Sequence, residues 1–249
     1  MRHLHVGRLE EIGLVTLNRG KVNALNGPLI EELGEGLRGL GRDDSVRAIV
    51  LTGSGKFFSF GFDIPEFLGF SREDFLEYLR SFTQLYTELF VFPKPVVAAL
   101  NGHAIAGGCM IATACDLRVM ASGGGKISLN EITFGASVFA GAVAMLKHLV
   151  GGPGAERILY SGRMYDAEEA REINLVDVVV PEAGLMARAR EEARRLGAQD
   201  PVAFASLKRL IRGPMAEQMR REEADSLGAF IDIWYSEATR ARLAKILIR

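Results

Sequence analysis

From Pro95 to Cys115 the chain carries no Asp, Glu, Lys or Arg. A stretch of that length without charge belongs either in a bilayer or in a protein interior. Asn101-Gly102 and Gly107-Gly108 break it twice, so it reads as a buried strand over Pro95–Leu100, a turn, and a buried helix. No membrane span is expected. A strand apolar throughout is one covered on both faces, the mark of a parallel sheet layered with helices.

Neighbouring segments fit that architecture. Ile12–Leu17 is a short β-branched run closed by Asn18-Arg19-Gly20, and Val46–Thr52 is a second strand closed by Gly53-Ser54-Gly55. Leu29, Ile30, Leu33, Leu37 and Leu40 recur at helical spacing, with Gly41 placed to end that helix. Ser71 and Asp74 resemble a capping box opening a long helix whose apolar face includes Phe75, Leu79, Phe82 and Tyr86. Strand–helix–strand at this spacing predicts crossover units, hence an α/β layer structure. From about Gly184 the chain reads as wholly helical. Helices are predicted along Leu185–Leu196, Val202–Ile211 and Glu217–Ile248, with breaks near Pro201 and Gly213-Pro214. The last holds Leu227, Phe230, Ile231, Ile233 and Trp234, too apolar for a solvated tail, so part of it is expected to pack on the core or on another subunit.

Composition removes several classes of function. Lys plus Arg is 30 against 31 for Asp plus Glu, and there is no basic run, so nucleic acid is not an expected partner. Cys109 and Cys115 lie in the apolar stretch and suggest core residues in a reducing cytoplasm rather than a disulfide framework. Met1 to Glu10 contains no apolar signal core, so no export is expected. Gly55-Lys56 and Gly125-Lys126 are not phosphate loops, because Val50 and Met120 stand where the first glycine belongs. His3 and His5 alone do not make a metal site, and no metal is expected.

Between Lys126 and Lys147 the only Asp, Glu, Lys or Arg is Glu131, within Ile127-Ser128-Leu129-Asn130-Glu131-Ile132-Thr133-Phe134. An acid amid that much apolar surface is either desolvated, with its pKa raised into the range of a general base, or an edge residue paired with an arginine. Two glycine-bearing loops follow strands, Phe57-Phe58-Ser59-Phe60-Gly61-Phe62-Asp63-Ile64 and Asn101 through Cys109. Each is a structural turn or a place where backbone N–H groups meet a ligand; two such donors from separate loops are what an oxyanion hole requires.

Taken together these segments resemble the enoyl-CoA hydratase/isomerase, or crotonase, superfamily over nearly the whole chain. Leu17-Asn18-Arg19 with Asn23-Ala24-Leu25-Asn26 is similar to its amino-terminal signature, with Gly20 replacing the usual proline. Phe58 to Asp63 and Asn101 to Cys109 resemble its two oxyanion motifs, and Cys115-Asp116-Leu117-Arg118 and Glu156-Arg157-Ile158-Leu159 continue the likeness. The resemblance implies a crotonase-like fold, a ββα spiral core, with residues 1–183 holding the acyl-CoA site and a helical region, residues 184–249, for packing and trimerisation. It implies an acyl-CoA thioester substrate, no separate cofactor because CoA is part of the substrate, and a homotrimer or dimer of trimers.

The resemblance also implies roles. Phe60 and Gly107 would donate their amides to the thioester oxygen, and Glu131 would be the acid/base. Asn23, Ala24, Leu25, Gly61, Phe62, Asp63, Ile64 and Asn130 would contact substrate, with Phe57, Phe60, Phe62 and Phe67 making an apolar acyl pocket. Hydratases of the family carry a glutamate three residues after the oxyanion glycine, where this chain has Met110. One remaining carboxylate suits an isomerase moving a double bond from 3-enoyl-CoA to trans-2-enoyl-CoA, and Leu129-Asn130-Glu131 resembles the monofunctional isomerases. Hydration or thioester hydrolysis would need His103, Asp63 or Glu66 to supply the missing group. A non-catalytic acyl-CoA-binding paralogue would need none of them.

Overall fold

Strands that are apolar on both sides demand cover on both faces, and the computed structural model, which describes residues 1–246, supplies it. The elements run β1 Leu4–Leu9, β2 Ile12–Leu17, α1 Gly27–Arg42, β3 Ala48–Gly53, β4 Phe57–Ser59, α2 Ile64–Phe67, α3 Arg72–Phe90, β5 Val96–Leu100, β6 His103–Ile105, α4 Gly107–Ala114, β7 Leu117–Ser122 and β8 Ile127–Ser128. A 3-10 turn over Glu131–Phe134 leads to α5 Ala140–Ser161, α6 Ala167–Glu172, β9 Val178–Pro181, α7 Leu185–Gly197, α8 Pro201–Trp234 and α9 Glu237–Leu243. The large sheet has the order β1-β2-β3-β5-β7-β9, parallel except for the β1–β2 hairpin. A small parallel sheet has the order β4-β6-β8. Three successive units, β3–β4–α3, β5–β6–α4 and β7–β8–α5, each place one strand in the large sheet, the next in the small one, and then a helix. That is the ββα spiral, with an α/β core.

Alternation along each strand divides the core in two. Ala48 and Val50 of β3, Val97 and Ala99 of β5, and Val119 of β7 face α7 and meet Leu185, Ala189 and Ala193. Ile49, Leu51, Val96, Ala98 and Leu100 point the other way, into the main core with α1, α3, α4 and α5. The segment after residue 184 thus covers one sheet face and, through Phe230 and Trp234, enters the main core as well.

Helix ends follow local chemistry. Asn26 accepts from Leu29 N at 3.3 Å to start α1, and Ser71 accepts from Asp74 N at 3.1 Å to start α3. The full reciprocal box lies elsewhere, between Asp166 and Glu169. Two expectations are corrected. Helix α1 runs past Gly41 to Arg42, ending at an extended Asp43. Helix α8 runs unbroken through Gly213-Pro214; proline there takes away one backbone donor, the one that would reach the Leu210 carbonyl, while the turns on either side continue. The chain turns instead at Tyr235-Ser236, where Ser236 caps α9, and Ile248 lies outside the described residues. No helix among the described residues is long and apolar enough to cross a membrane.

Candidate active site

Glu131 opens the 3-10 turn that follows β8. β8 is pinned to β6 by Ala106 N donating to Ser128 O at 2.8 Å, and the turn closes with Thr133 N on Asn130 O and Ala136 N on Glu131 O, both at 3.0 Å. Gly135 takes φ +81, a left-handed cap that lets the chain reverse toward α5. The turn thereby holds Glu131 inward, 5% exposed. No arginine or lysine pairs with it among the described residues, and its Oε2 is buried without a hydrogen-bond partner. Desolvation therefore pushes its carboxyl pKa up to about 8, resisted only by its own backbone N–H. Of the two readings of this residue, the desolvated acid describes the structure and the arginine-paired edge residue does not.

Glu131 lines a cavity of about 300 Å³. The two glycine-bearing segments and the helices after them contribute Phe60, Phe62, Ile64, Ile105, Ala106 and Met110; the Glu131 turn and the later helices contribute Asn130, Thr133, Phe134, Phe139, Phe230, Trp234 and Ile246. Glu131 is the sole ionisable side chain among these, and the rest are almost all apolar. A small, mostly apolar cleft with one perturbed titratable group has the form of a substrate site.

The backbone donors differ from expectation at one position. The Phe60 amide donates to Val22 O at 3.0 Å, so it is not free to meet a ligand, although its ring lines the cavity. Gly61 at φ +89 then turns the chain. Leu25 N donates to Gly61 O at 2.7 Å and Asp63 N to Leu25 O at 3.0 Å, which leaves the intervening Phe62 N–H with no acceptor among the described residues. Phe62, and not Phe60, presents the open amide. Gly107 begins α4, where an N–H has no intrahelical acceptor and the helix field favours negative charge. The two loops that carry these amides are in contact: a Cβ built on Gly61 would stand 3.2 Å from Gly107 N, and one on Gly107 would stand 3.0 Å from the Phe62 ring.

Other expected site residues divide between cavity and support. Phe62, Ile64 and Asn130 line the cavity, Asn130 with a buried, unpartnered Oδ1. Asn23, Ala24 and Leu25 do not reach it. Asn23 is wholly buried, accepting from Arg19 N at 3.0 Å and donating to Ser54 O and Phe57 O at 3.1 and 2.9 Å, which fastens the signature loop to β4. Asp63 caps α2 and pairs with Arg19 at 2.7 Å, and Glu66 takes the same guanidinium at 3.1 Å. His103 lies beside Phe57, ring centroids 5.1 Å apart, outside the cavity lining. Phe67 is buried in an aromatic cluster with Phe75 and Tyr78, and of the expected aromatic pocket only Phe60 and Phe62 line the cavity. Cys109 is fully buried, its thiol pKa pushed well up by desolvation.

The sequence carries no signal that Phe134 and Phe139 line the cavity; for Phe230 and Trp234 the one signal is the apolar excess of the final long helix.

A family model described as enoyl-CoA hydratase/isomerase matches residues 7–239. The chain belongs to that family, within the crotonase superfamily. It is 33% identical over 214 residues to the 2,3-dehydroadipyl-CoA hydratase of Escherichia coli, covering 85% of this chain and 82% of that protein. It is 34% identical over 203 residues to the short-chain-enoyl-CoA hydratase of Clostridium acetobutylicum, covering 81% and 77%. The crystal structure of human mitochondrial delta3-delta2-enoyl-CoA isomerase superposes with a TM-score of 0.93 at 26% identity, covering 97% of this chain and 95% of that one.

Proposed function

We propose that this protein is an isomerase converting 3-enoyl-CoA to trans-2-enoyl-CoA, with Glu131 as the single proton carrier. The observation that carries this reading is that Glu131 is alone: Met110, which cannot exchange a proton, faces the same cavity where a second carboxylate would be needed to add water. In its ionised form Glu131 takes a proton from C2. The electron pair moves toward the thioester oxygen, which accepts from the amides of Phe62 and Gly107, donors fixed before charge develops. The protonated carboxyl then delivers the proton to C4 and the double bond settles between C2 and C3. The base, the oxyanion donors and the water-poor cavity all come from the chain, so no separate cofactor takes part.

Hydration is disfavoured because Asp63, Glu66 and His103 lie outside the cavity lining, the first two tied to Arg19. The lining also limits the acyl group. With no cation in the wall among the described residues to meet a terminal carboxylate, the dicarboxylic thioester named for the Escherichia coli relative is a poor match, and uncharged acyl chains are favoured.

Val202, Leu207, Leu210 and Ile211 stand exposed on the first half of α8, and we infer that copies of the chain meet there, as a homotrimer or dimer of trimers. The test of the reaction is direct. Purified protein given 3-enoyl-CoA should generate the 2-enoyl absorbance, and given 2-enoyl-CoA it should not consume it by hydration. Turnover of 3-enoyl-CoA undiminished in Glu131→Gln would refute the assignment.

A further inference from the structure

Helix α9 fastens to the turn that carries Glu131 and also to the loop that follows α2. Thr239, 2% exposed, donates its hydroxyl to Gly135 O at 2.8 Å. A helical threonine commonly returns that bond to its own preceding turn; here it reaches across to the residue that caps the Glu131 turn. Arg242, one turn further along, lies against Gly135 where a side chain would otherwise stand. On the other side Arg240 donates to Leu68 O at 2.7 Å, and the Tyr235 hydroxyl donates to Phe70 O and Ser71 O at 2.9 and 2.8 Å. Ile246, just beyond α9, lines the same cavity as Glu131.

We propose that Thr239 is a positioning residue: by holding the Gly135 carbonyl it seats α9 on the Glu131 turn, fixes the direction of that carboxyl and keeps water from it. This rests on the isomerase reading for its catalytic consequence, and on the hydrogen bond and the burial of Glu131 for its physical one. Few charges face Glu131. The neighbour from α4 is the neutral Cys109 thiol; the Arg242 guanidinium of α9 lies against Gly135, and no charged side chain shifts the Glu131 carboxyl. The walls from β6, α5 and α8 present Ile105, Phe139, Phe230 and Trp234, which carry no charge. Solvent access therefore dominates the proton affinity of Glu131, and loosening the latch lowers it.

The test uses the full chain labelled with ¹³C-glutamate, the Glu131 carboxyl resonance being assigned by its loss in Glu131→Gln. Thr239→Val keeps shape and removes the hydroxyl; Thr239→Ser keeps the hydroxyl. The Val variant should lower the titration midpoint of Glu131 by about one pH unit or more, a tenfold change in proton affinity, and the Ser variant should stay close to the parent. On 3-enoyl-CoA, kcat should fall roughly tenfold in the Val variant with KM within about twofold, and recover in the Ser variant. A midpoint unmoved by Val, or moved equally by Ser, overturns the proposal. Should the Val variant not fold, Thr239→Ala carries the same expectations. Because the titration needs no turnover, a Val-specific shift in a protein inactive on 3-enoyl-CoA refutes the isomerase reading and leaves the latch standing.

Discussion

Lys208 Nζ lies 2.7 Å from Asp116 Oδ2, joining α8 to the loop before β7, and Arg212 meets the other oxygen of the same carboxylate at 3.1 Å. All three are largely buried. Arg212 also donates to Ala114 O and Cys115 O at 3.3 Å, and Arg118 to Cys115 O at 3.1 Å, so two guanidiniums satisfy carbonyls at the end of α4 opposite Gly107. Removing one partner of a buried ion pair strands the others. Asp116→Asn should cost about 3 to 5 kcal/mol in urea unfolding, much more than Arg38→Gln, whose pair with Glu88 is solvent-exposed.

The rate of isomerisation should report Glu131 directly. In the proposed role it acts ionised, and burial raises its pKa to about 8. On 3-enoyl-CoA, kcat/KM should rise about tenfold per pH unit below that value and level off above it. A profile already flat between pH 6 and pH 9 would contradict the assignment.

Stability should run the other way. The folded state favours the neutral carboxyl, so its contribution is complete below the ordinary value of 4.5 and is lost as pH rises through about 8. Glutamine cannot ionise. Glu131→Gln should therefore match the parent near pH 4.5 and exceed it in urea unfolding above pH 8, by on the order of 4 kcal/mol. Equal curves at both ends would mean that the acid is hydrated in the fold.

Gly107 tests the oxyanion donors without touching an ionisable group. A Cβ there would stand 3.0 Å from Phe62 Cε1 and 3.1 Å from Leu25 Cδ1, displacing the ring next to the open Phe62 amide. Gly107→Ala should lower kcat roughly 10²-fold while the acid limb of the pH profile stays in place. A shifted acid limb would show that the change acted on Glu131 instead.

The exposed apolar face of α8 makes a prediction about mass. Light scattering should give the mass of a trimer or a multiple of it, and Leu210→Glu, at a position 69% exposed in the single chain, should shift the distribution toward monomer. A monomeric parent protein would remove that role from the face.

Much of this molecule was legible in the chain, for reasons particular residues show. β2, β3 and β5 announce themselves because both faces are covered, and Glu131 because no other charge stands near it in sequence. β4, β6 and β8 do not: they span two or three residues, and only their mutual pairing makes them a sheet. The choice between Phe60 and Phe62 was equally hidden. In a regular strand their amides would face the same way; the positive φ of Gly61 separates them, and only the position of Val22 decides which is occupied. Pro214 does not end its helix, because proline removes a single backbone donor, and the packing of α8 on either side holds the remaining turns.

The unbroken course of α8 ties two distant parts of the molecule to one rigid spacing. Lys208 and Arg212 sit near one end of it and Phe230 and Trp234 near the other. Each added residue rotates everything downstream by about 100°. A one-residue insertion between Arg212 and Phe230 would leave the ionic anchor in place and swing both rings out of the cavity, so the shape of that wall depends on the spacing along this rod as well as on the side chains it carries.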